Sequence, residues 1–102
     1  MTHPETAGAE APLSLATLAA RTHRLAVVGL GYVGLPLAVQ MARHFDVVGF
    51  DIRPERIAEL KAGRDRTLEV APDALKAVAI AFSSDPAVLK TCRLIIVAVP
   101  TP

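Results

Sequence analysis

The sequence has few of the residues that mark several common classes of protein. Its 102 residues include one cysteine, no tryptophan, one tyrosine and three phenylalanines, and the net charge is +1. The single cysteine, Cys92, excludes an internal disulfide and fits a reducing compartment. Scarce aromatics and scattered basic residues argue against a nucleic-acid partner. The three histidines, His3, His23 and His44, lack the spacing of metal ligands or of a catalytic triad, so we predict no metal site and no catalytic residue.

Long apolar runs are also missing. No stretch approaches the roughly 20 apolar residues that cross a bilayer, so we expect no membrane partner. Glu5 and Glu10 precede the first basic residue, whereas a secretory signal begins with a basic region. We therefore expect a cytoplasmic protein.

The length and the local composition predict one folded domain with an extension before it. A chain of 102 residues supports one modest core. The first twelve residues are rich in Ala, Pro, Glu and Thr and are expected to be disordered. A short helix over 13–20 would lie against the fold. We expect residues 1–23 to be a disordered or loosely helical extension and residues 24–102 to be the folded part.

The most informative stretch is a glycine-rich turn that follows an apolar strand over 25–28 and precedes a helix over 32–44. Gly29 permits a sharp exit from the strand, Gly31 lets the backbone approach a pyrophosphate, and Gly34 lets the helix pack closely. The free N–H groups of the helix start favour phosphate binding. This context predicts a dinucleotide site, and the alternative is a turn kept for packing alone.

An aspartate follows the second predicted strand, at 47–50. Asp51 lies 22 positions after Gly29, where its carboxylate would accept hydrogen bonds from the ribose hydroxyls and repel a 2′-phosphate. The sequence therefore favours NAD over NADP as the cofactor. Capping of the next helix is the alternative role for Asp51. Arg53 keeps NADP open, because an arginine so close to the acid can in principle meet a 2′-phosphate.

Two charged segments and the cysteine leave more room for interpretation. Arg56, in the first turn of a helix that begins near Pro54 and stops at Gly63, would either reach the adenosine part of the cofactor or be a solvated surface charge. The loop at 63–69 by itself indicates only solvent exposure. Cys92 precedes the fourth strand at the amino end of the sheet, away from the cofactor, and we interpret it as a structural thiol.

Strands and helices alternate along the chain with short connections. Helical turns are predicted over 72–78 and 86–90, and the third and fourth strands over 79–82 and 94–99. The order predicts an α/β fold: a Rossmann-type doubly wound parallel sheet, of which this is the N-terminal half, with strand order 3-2-1-4. The fourth strand is apolar at every position, which is typical of a parallel strand buried on both faces.

The phrase Gly-Tyr-Val-Gly-Leu-Pro at 31–36, with Asp-Ile-Arg-Pro-Glu-Arg at 51–56 and Val-Pro-Thr-Pro at 99–102, resembles the UDP-glucose/GDP-mannose dehydrogenase family. The loop at 63–69 is most similar to the branch that oxidises UDP-N-acetylhexosamines for surface polysaccharides. The resemblance covers residues 25–102. It implies that the site residues toward NAD are Gly29, Gly31, Tyr32, Val33, Gly34, Asp51, Arg56, Val99, Pro100 and Thr101.

The same resemblance implies a two-step, NAD-dependent oxidation of a sugar C6 alcohol to a carboxylate. The family's catalytic cysteine and its UDP-sugar domain lie downstream of the stretch that this chain matches. We therefore expect the 102-residue chain to carry cofactor binding without catalysis, to bind NAD weakly or not at all alone, and to belong to a homo-oligomeric full-length protein. The alternatives are a stand-alone NAD-binding module and part of a β-hydroxyacid dehydrogenase.

Overall fold

Four short apolar segments form one parallel sheet. The computed structural model describes residues 12–67 and 69–98. Its strands pair in the order β3-β2-β1-β4, and every pairing is parallel. The predicted Rossmann-type sheet and its strand order are therefore confirmed. The strands are β1 (Arg24–Val28), β2 (Asp46–Phe50), β3 (Ile80–Ser83) and β4 (Cys92–Val97).

Helical segments connect consecutive strands, as right-handed crossovers require. One helix, α1 (Leu15–Ala19), precedes β1, and the connecting segments are α2 (Gly34–Ala42), α3 (Pro54–Lys61), α4 (Pro72–Lys76) and a 3₁₀ helix (Pro86–Thr91). The helix α2 is shorter than the predicted 32–44, because Val33 is its N-cap and Arg43 its C-cap. The helix α3 ends before Gly63, whose φ of 79° is the left-handed conformation that a glycine adopts without strain.

The core lies between the central strands and the helices packed on them. Leu25 and Val27 of β1 and Val47 of β2 have no exposed surface, and burial of each such side chain contributes about 1.5–3 kcal/mol. Within α2 the buried residues recur at spacings of three and four, as its sequence predicts. The predicted short helix in the extension is present as α1, and it packs on the core through Leu18. Residues 1–11 lie outside the described part of the chain.

The prediction that the fourth strand is buried on both faces is wrong for this chain. β4 is an edge strand whose residues alternate between half-buried and exposed. Leu94 and Ile96 pack against the core, whereas Ile95 is 46% and Val97 is 63% exposed. The physical reason is that β4 packs on the core with one face, so the uniform apolar run has only half of its side chains covered.

The carboxyl ends of all four strands meet at one edge of the sheet, here called the carboxyl edge. Backbone hydrogen bonds continue the pairing past the strand ends, from Gly29 N–H to Phe50 O at 2.8 Å and from Asp51 N–H to Ser83 O at 3.2 Å. These bonds fix the glycine turn after β1 beside the aspartate after β2. The candidate site is built at this edge, where ligands of open α/β sheets bind.

Candidate cofactor-binding site

Two glycines of the turn after β1 are required by the fold itself. Gly29 has φ of 94°, a conformation that side-chain-bearing residues rarely adopt. A Cβ placed on Gly34 would lie 1.6 Å from the carbonyl oxygen of Gly29, so any larger residue would push the start of α2 away from the turn. Glycine at these positions therefore has an internal explanation, in the close approach of helix and strand.

The third glycine has no such explanation. A Cβ built on Gly31 would meet no atom within 4 Å, and Gly31 is not among the glycines with positive φ. The side chains of Tyr32 and Val33 next to it are 68% and 69% exposed. The space above Gly31 is open to a group from outside the described residues, and a phosphate at this helix start would meet the positive end of the α2 dipole. The turn thus fits a pyrophosphate.

Asp51 lies directly beside this turn. Its Oδ2 accepts a hydrogen bond from the Leu30 N–H at 3.0 Å, and its Oδ1 accepts one from the Arg53 N–H at 3.0 Å. Burial opposes the charged form, but the hydrogen bonds from Arg53 and Leu30 more than offset it and hold the pKa of Asp51 below its usual value. The side chain is therefore a carboxylate at neutral pH. Since two oxygens offer about four acceptor positions, it retains capacity for the hydroxyls of a ribose.

The structure bears on two alternative roles: capping of the next helix by Asp51, and contact of Arg53 with a 2′-phosphate. The N-cap of α3 is Arg53 and not Asp51, and the Asp51 carboxylate accepts from the N–H of this N-cap residue. A structural role and a ligand role can therefore coexist in one carboxylate. The Arg53 side chain is 56% exposed, and its Nε lies 3.5 Å from Asp51 Oδ1. Arg53 is thus partly neutralised by the same acid that would face a ribose.

Arg56 is turned into the protein, which contradicts the interpretation of a solvated surface charge. Its side chain is 2% exposed. The Nε donates to the carbonyl oxygen of Leu30 at 2.8 Å, and Nη1 lies 3.0 Å from Glu59 and 2.9 Å from Asp65. The remaining nitrogen, Nη2, is buried and has no hydrogen-bond partner among the residues that the structure describes. A contact between Arg56 and the adenosine part of the cofactor stays a prediction.

The spacing of residues along α3 indicates that Arg56 faces inward. Arg56 lies one position before Ile57 and four before Leu60, and all three are buried in α3. Ala58, in the same helix, is exposed.

The loop after α3 is not simply solvated, and the residue that organises it was missed. The Asp65 side chain has no exposed surface and accepts hydrogen bonds from the backbone N–H groups of Thr67, Glu69 and Val70 and from the Thr67 hydroxyl. Burial opposes its charge, but these bonds and Arg56 hold the pKa of Asp65 below its usual value. The Asp-x-Thr spacing, typical of a side chain that closes its own turn, was the available signal.

The other predicted positions contribute less to the site. Val99, Pro100 and Thr101 lie outside the described residues. Cys92 is the half-buried first residue of β4 and pairs in register with Arg24 at the opposite, amino edge of the sheet, as predicted. Within residues 12–67 and 69–98, no three His, Cys, Asp or Glu side chains are grouped as metal ligands. No helix of the described part is long and apolar enough to span a membrane.

A parallel sheet in this order, an open glycine turn at a helix start and a carboxylate after the second strand together define a dinucleotide-binding domain of the Rossmann class. Comparison with known proteins agrees: residues 23–102 match the model of the UDP-glucose/GDP-mannose dehydrogenase family, NAD binding domain. This chain belongs to that family, and NAD is its cofactor.

The chain is also similar to individual proteins. The chain is 54% identical over 80 residues to a UDP-N-acetyl-D-glucosamine 6-dehydrogenase of Pseudomonas aeruginosa, and 53% identical over 78 residues to Protein CapL of Staphylococcus aureus. These matches cover 78% and 76% of this chain but 19% and 18% of the relatives. A solved UDP-D-ManNAc dehydrogenase from Pyrococcus horikoshii superposes with a TM-score of 0.70 at 35% identity, over 78% of this chain and 20% of that one. The chain therefore spans about a fifth of the length of these relatives.

Proposed function

We propose that this domain holds the adenosine diphosphate part of NAD in a nucleotide-sugar 6-dehydrogenase that oxidises the C6 alcohol of a UDP-N-acetylhexosamine to a carboxylate. The observation that carries the proposal is the open space above Gly31, in a turn whose other two glycines are explained by the fold. The relative from Pseudomonas aeruginosa, a UDP-N-acetyl-D-glucosamine 6-dehydrogenase, supports the sugar class.

The chain's own residues supply binding and orientation. The N–H groups at the start of α2 and the positive end of its dipole meet the pyrophosphate above Gly31. Asp51 accepts hydrogen bonds from the ribose hydroxyls with the lone pairs that Leu30 and Arg53 leave unused. When bound, NAD supplies the acceptor for the hydride that leaves the sugar alcohol. The chemistry on the sugar belongs to residues beyond the matched fifth of the relatives.

A chimera tests the proposed enzyme class. Residues 23–102 of this chain would replace the matching segment of the Pseudomonas aeruginosa UDP-N-acetyl-D-glucosamine 6-dehydrogenase, with the parent enzyme as control. We expect NAD-dependent oxidation of UDP-N-acetylglucosamine within about tenfold of the parent, because the cofactor turn is preserved. A folded chimera that binds NAD without oxidising the sugar would contradict the enzyme assignment while leaving cofactor binding intact.

The cofactor preference is tested in the same chimera by Asp51→Ser. Removing the carboxylate takes away both the acceptor for the ribose hydroxyls and the repulsion of a 2′-phosphate, so the preference for NAD over NADP should shrink by at least about tenfold. The measurement is kcat/KM with each cofactor. Asp46→Ser is the matched control, since Asp46 pairs with Arg24 at the amino edge of the sheet, away from the turn. Unchanged discrimination in Asp51→Ser would remove Asp51 from this role.

A further inference from the structure

One residue of the glycine turn is held by a charged side chain on each side. The N–H of Leu30 donates to Asp51 Oδ2 at 3.0 Å, and the carbonyl oxygen of Leu30 accepts from Arg56 Nε at 2.8 Å. Leu30 itself has no exposed surface. Both peptide groups that meet at Leu30 therefore have fixed orientations.

The second of these peptide groups contains the N–H of Gly31. The chain has no cis peptide bond among its described residues, and in a trans peptide the C=O and the following N–H point in opposite directions. Because Arg56 draws the Leu30 carbonyl toward itself, the Gly31 N–H is directed away from Arg56. Rotation of this one peptide would turn the carbonyl oxygen, a repulsive partner for phosphate, to where the donor now points.

Arg56 is in turn fixed by the loop after α3. Its Nη1 lies 2.9 Å from Asp65 Oδ1, and the two side chains are 2% and 0% exposed. Asp65 is anchored by Thr67, Glu69 and Val70 of the same loop. Glu59, one turn along α3 from Arg56, is a second carboxylate partner at 3.0 Å. A continuous chain of buried contacts thus runs from the loop after α3 to the turn after β1.

We propose that Arg56 and Asp65 are positioning residues for the dinucleotide turn: Asp65 holds the Arg56 guanidinium, and Arg56 sets the Leu30–Gly31 peptide so that the Gly31 N–H faces the cofactor pyrophosphate. This inference rests on the proposed NAD site. It gives the loop after α3 a role in cofactor affinity although Asp65 is buried away from the ligand. The chemistry recognised is a diphosphate, so the adenosine part alone would not depend on it.

The test compares two identical substitutions on the ¹⁵N-labelled 102-residue chain. Asp65→Asn removes the charge that holds Arg56. Asp46→Asn is the matched control, because Asp46 lies 3.5 Å from Arg24 at the amino edge of the sheet, far from the turn. Amide spectra of the labelled chains are recorded without ligand, and the same substitutions in the chimera described above are titrated with NAD and separately with adenosine. If Asp65→Asn does not fold, Thr67→Val replaces it, since valine removes the hydroxyl that donates to Asp65 Oδ1 at 2.6 Å.

In Asp65→Asn we expect a displaced Gly31 amide resonance before any ligand is added, an affinity for NAD lower by about tenfold, and unchanged affinity for adenosine. Asp46→Asn should alter none of these. A merely structural role would lower stability without changing the ratio of the two affinities. An unmoved Gly31 amide or an unchanged NAD affinity would overturn the positioning role alone. Failure of the unsubstituted chimera to bind NAD would instead overturn the proposed site, and the positioning role with it.

Discussion

The two edges of the sheet each carry an Arg–Asp pair, but the pairs differ in burial and in the distance between their closest atoms. At the amino edge, Arg24 and Asp46 are 31% and 41% exposed, and their closest atoms are 3.5 Å apart. Behind the carboxyl edge, Arg56 and Asp65 are 2% and 0% exposed and 2.9 Å apart. Only the second pair continues into the glycine turn, through Leu30.

This difference shows where the molecule tolerates the cost of burying charge. An exposed ion pair contributes about 0–1 kcal/mol and requires little of its surroundings. A buried pair must be surrounded by hydrogen bonds, or desolvation exceeds the attraction. The loop after α3 supplies those bonds to Asp65, whereas Arg56 and Arg24 each have one buried nitrogen without a hydrogen-bond partner among the described residues. The fully buried ion pair lies beside the cofactor turn, and the pair at the opposite edge is partly exposed.

The largest effect should follow from removing one half of the buried pair. Arg56→Ala leaves Asp65 buried without its cation and frees the Leu30 carbonyl, so we expect the free energy of unfolding to fall by about 3–5 kcal/mol. Arg24→Ala, the same change in the exposed pair, should cost at most about 1 kcal/mol. Urea unfolding of both variants measures the contrast. Equal losses would show that burial does not determine how much each pair contributes to the free energy of unfolding.

A somewhat smaller loss should follow from Gly34→Ala. The added methyl carbon would overlap the Gly29 carbonyl oxygen, so the start of α2 must move, at a cost of about 3 kcal/mol. The unfolding midpoint in urea is the readout. Gly49→Ala is a useful second substitution, because there the nearest atom is a Phe82 side-chain carbon at 2.9 Å, which can move more easily than backbone. A Gly34→Ala variant as stable as the wild type would contradict the close approach.

Acid should weaken the region that contains the buried carboxylates. The pKa values of Asp51 and Asp65 are lowered in the folded chain. Their contribution to the free energy of unfolding is therefore fully present above the ordinary aspartate pKa of about 3.9 and is lost as pH falls below it. Unfolding free energies between about pH 6 and pH 2.5 should therefore decline steeply at the acid end. Asp65→Asn should flatten this decline. An equally steep decline in that variant would show that Asp65 does not contribute to the loss of stability in acid.

Much of the fold was predictable because its signals are local. Four apolar runs, a glycine turn and a glycine stop after α3 are enough to specify strands, connections and order, and the structure confirms that order. The burial of β4 was not predictable from composition, since an apolar run looks the same at the centre of a sheet and at its edge. Exposed Val97 shows that neighbouring elements, not sequence, decide coverage.

The residues of the site also differ in whether a local sequence signal predicts them. Gly29, Gly31 and Asp51 were predicted as cofactor-binding residues because a dinucleotide turn has fixed spacing along the chain. The links from Leu30 to Arg56 and from Arg56 to Asp65 join residues 26 and 9 positions apart that only the tertiary fold brings together. A charge in a glycine-flanked loop is ordinarily solvated, so Asp65 gave no indication of burial beyond its spacing to Thr67.

The most direct test of the account is Gly31→Ala, because the account assigns this glycine to the cofactor and not to the fold. Since a Cβ there meets nothing within 4 Å, the unfolding free energy should change by no more than about 0.5 kcal/mol. NAD affinity, measured by titration of the chimera that carries the same substitution, should fall by at least about tenfold because the methyl group occupies the space of the pyrophosphate. Unchanged NAD affinity in a stable Gly31→Ala chimera would contradict the account.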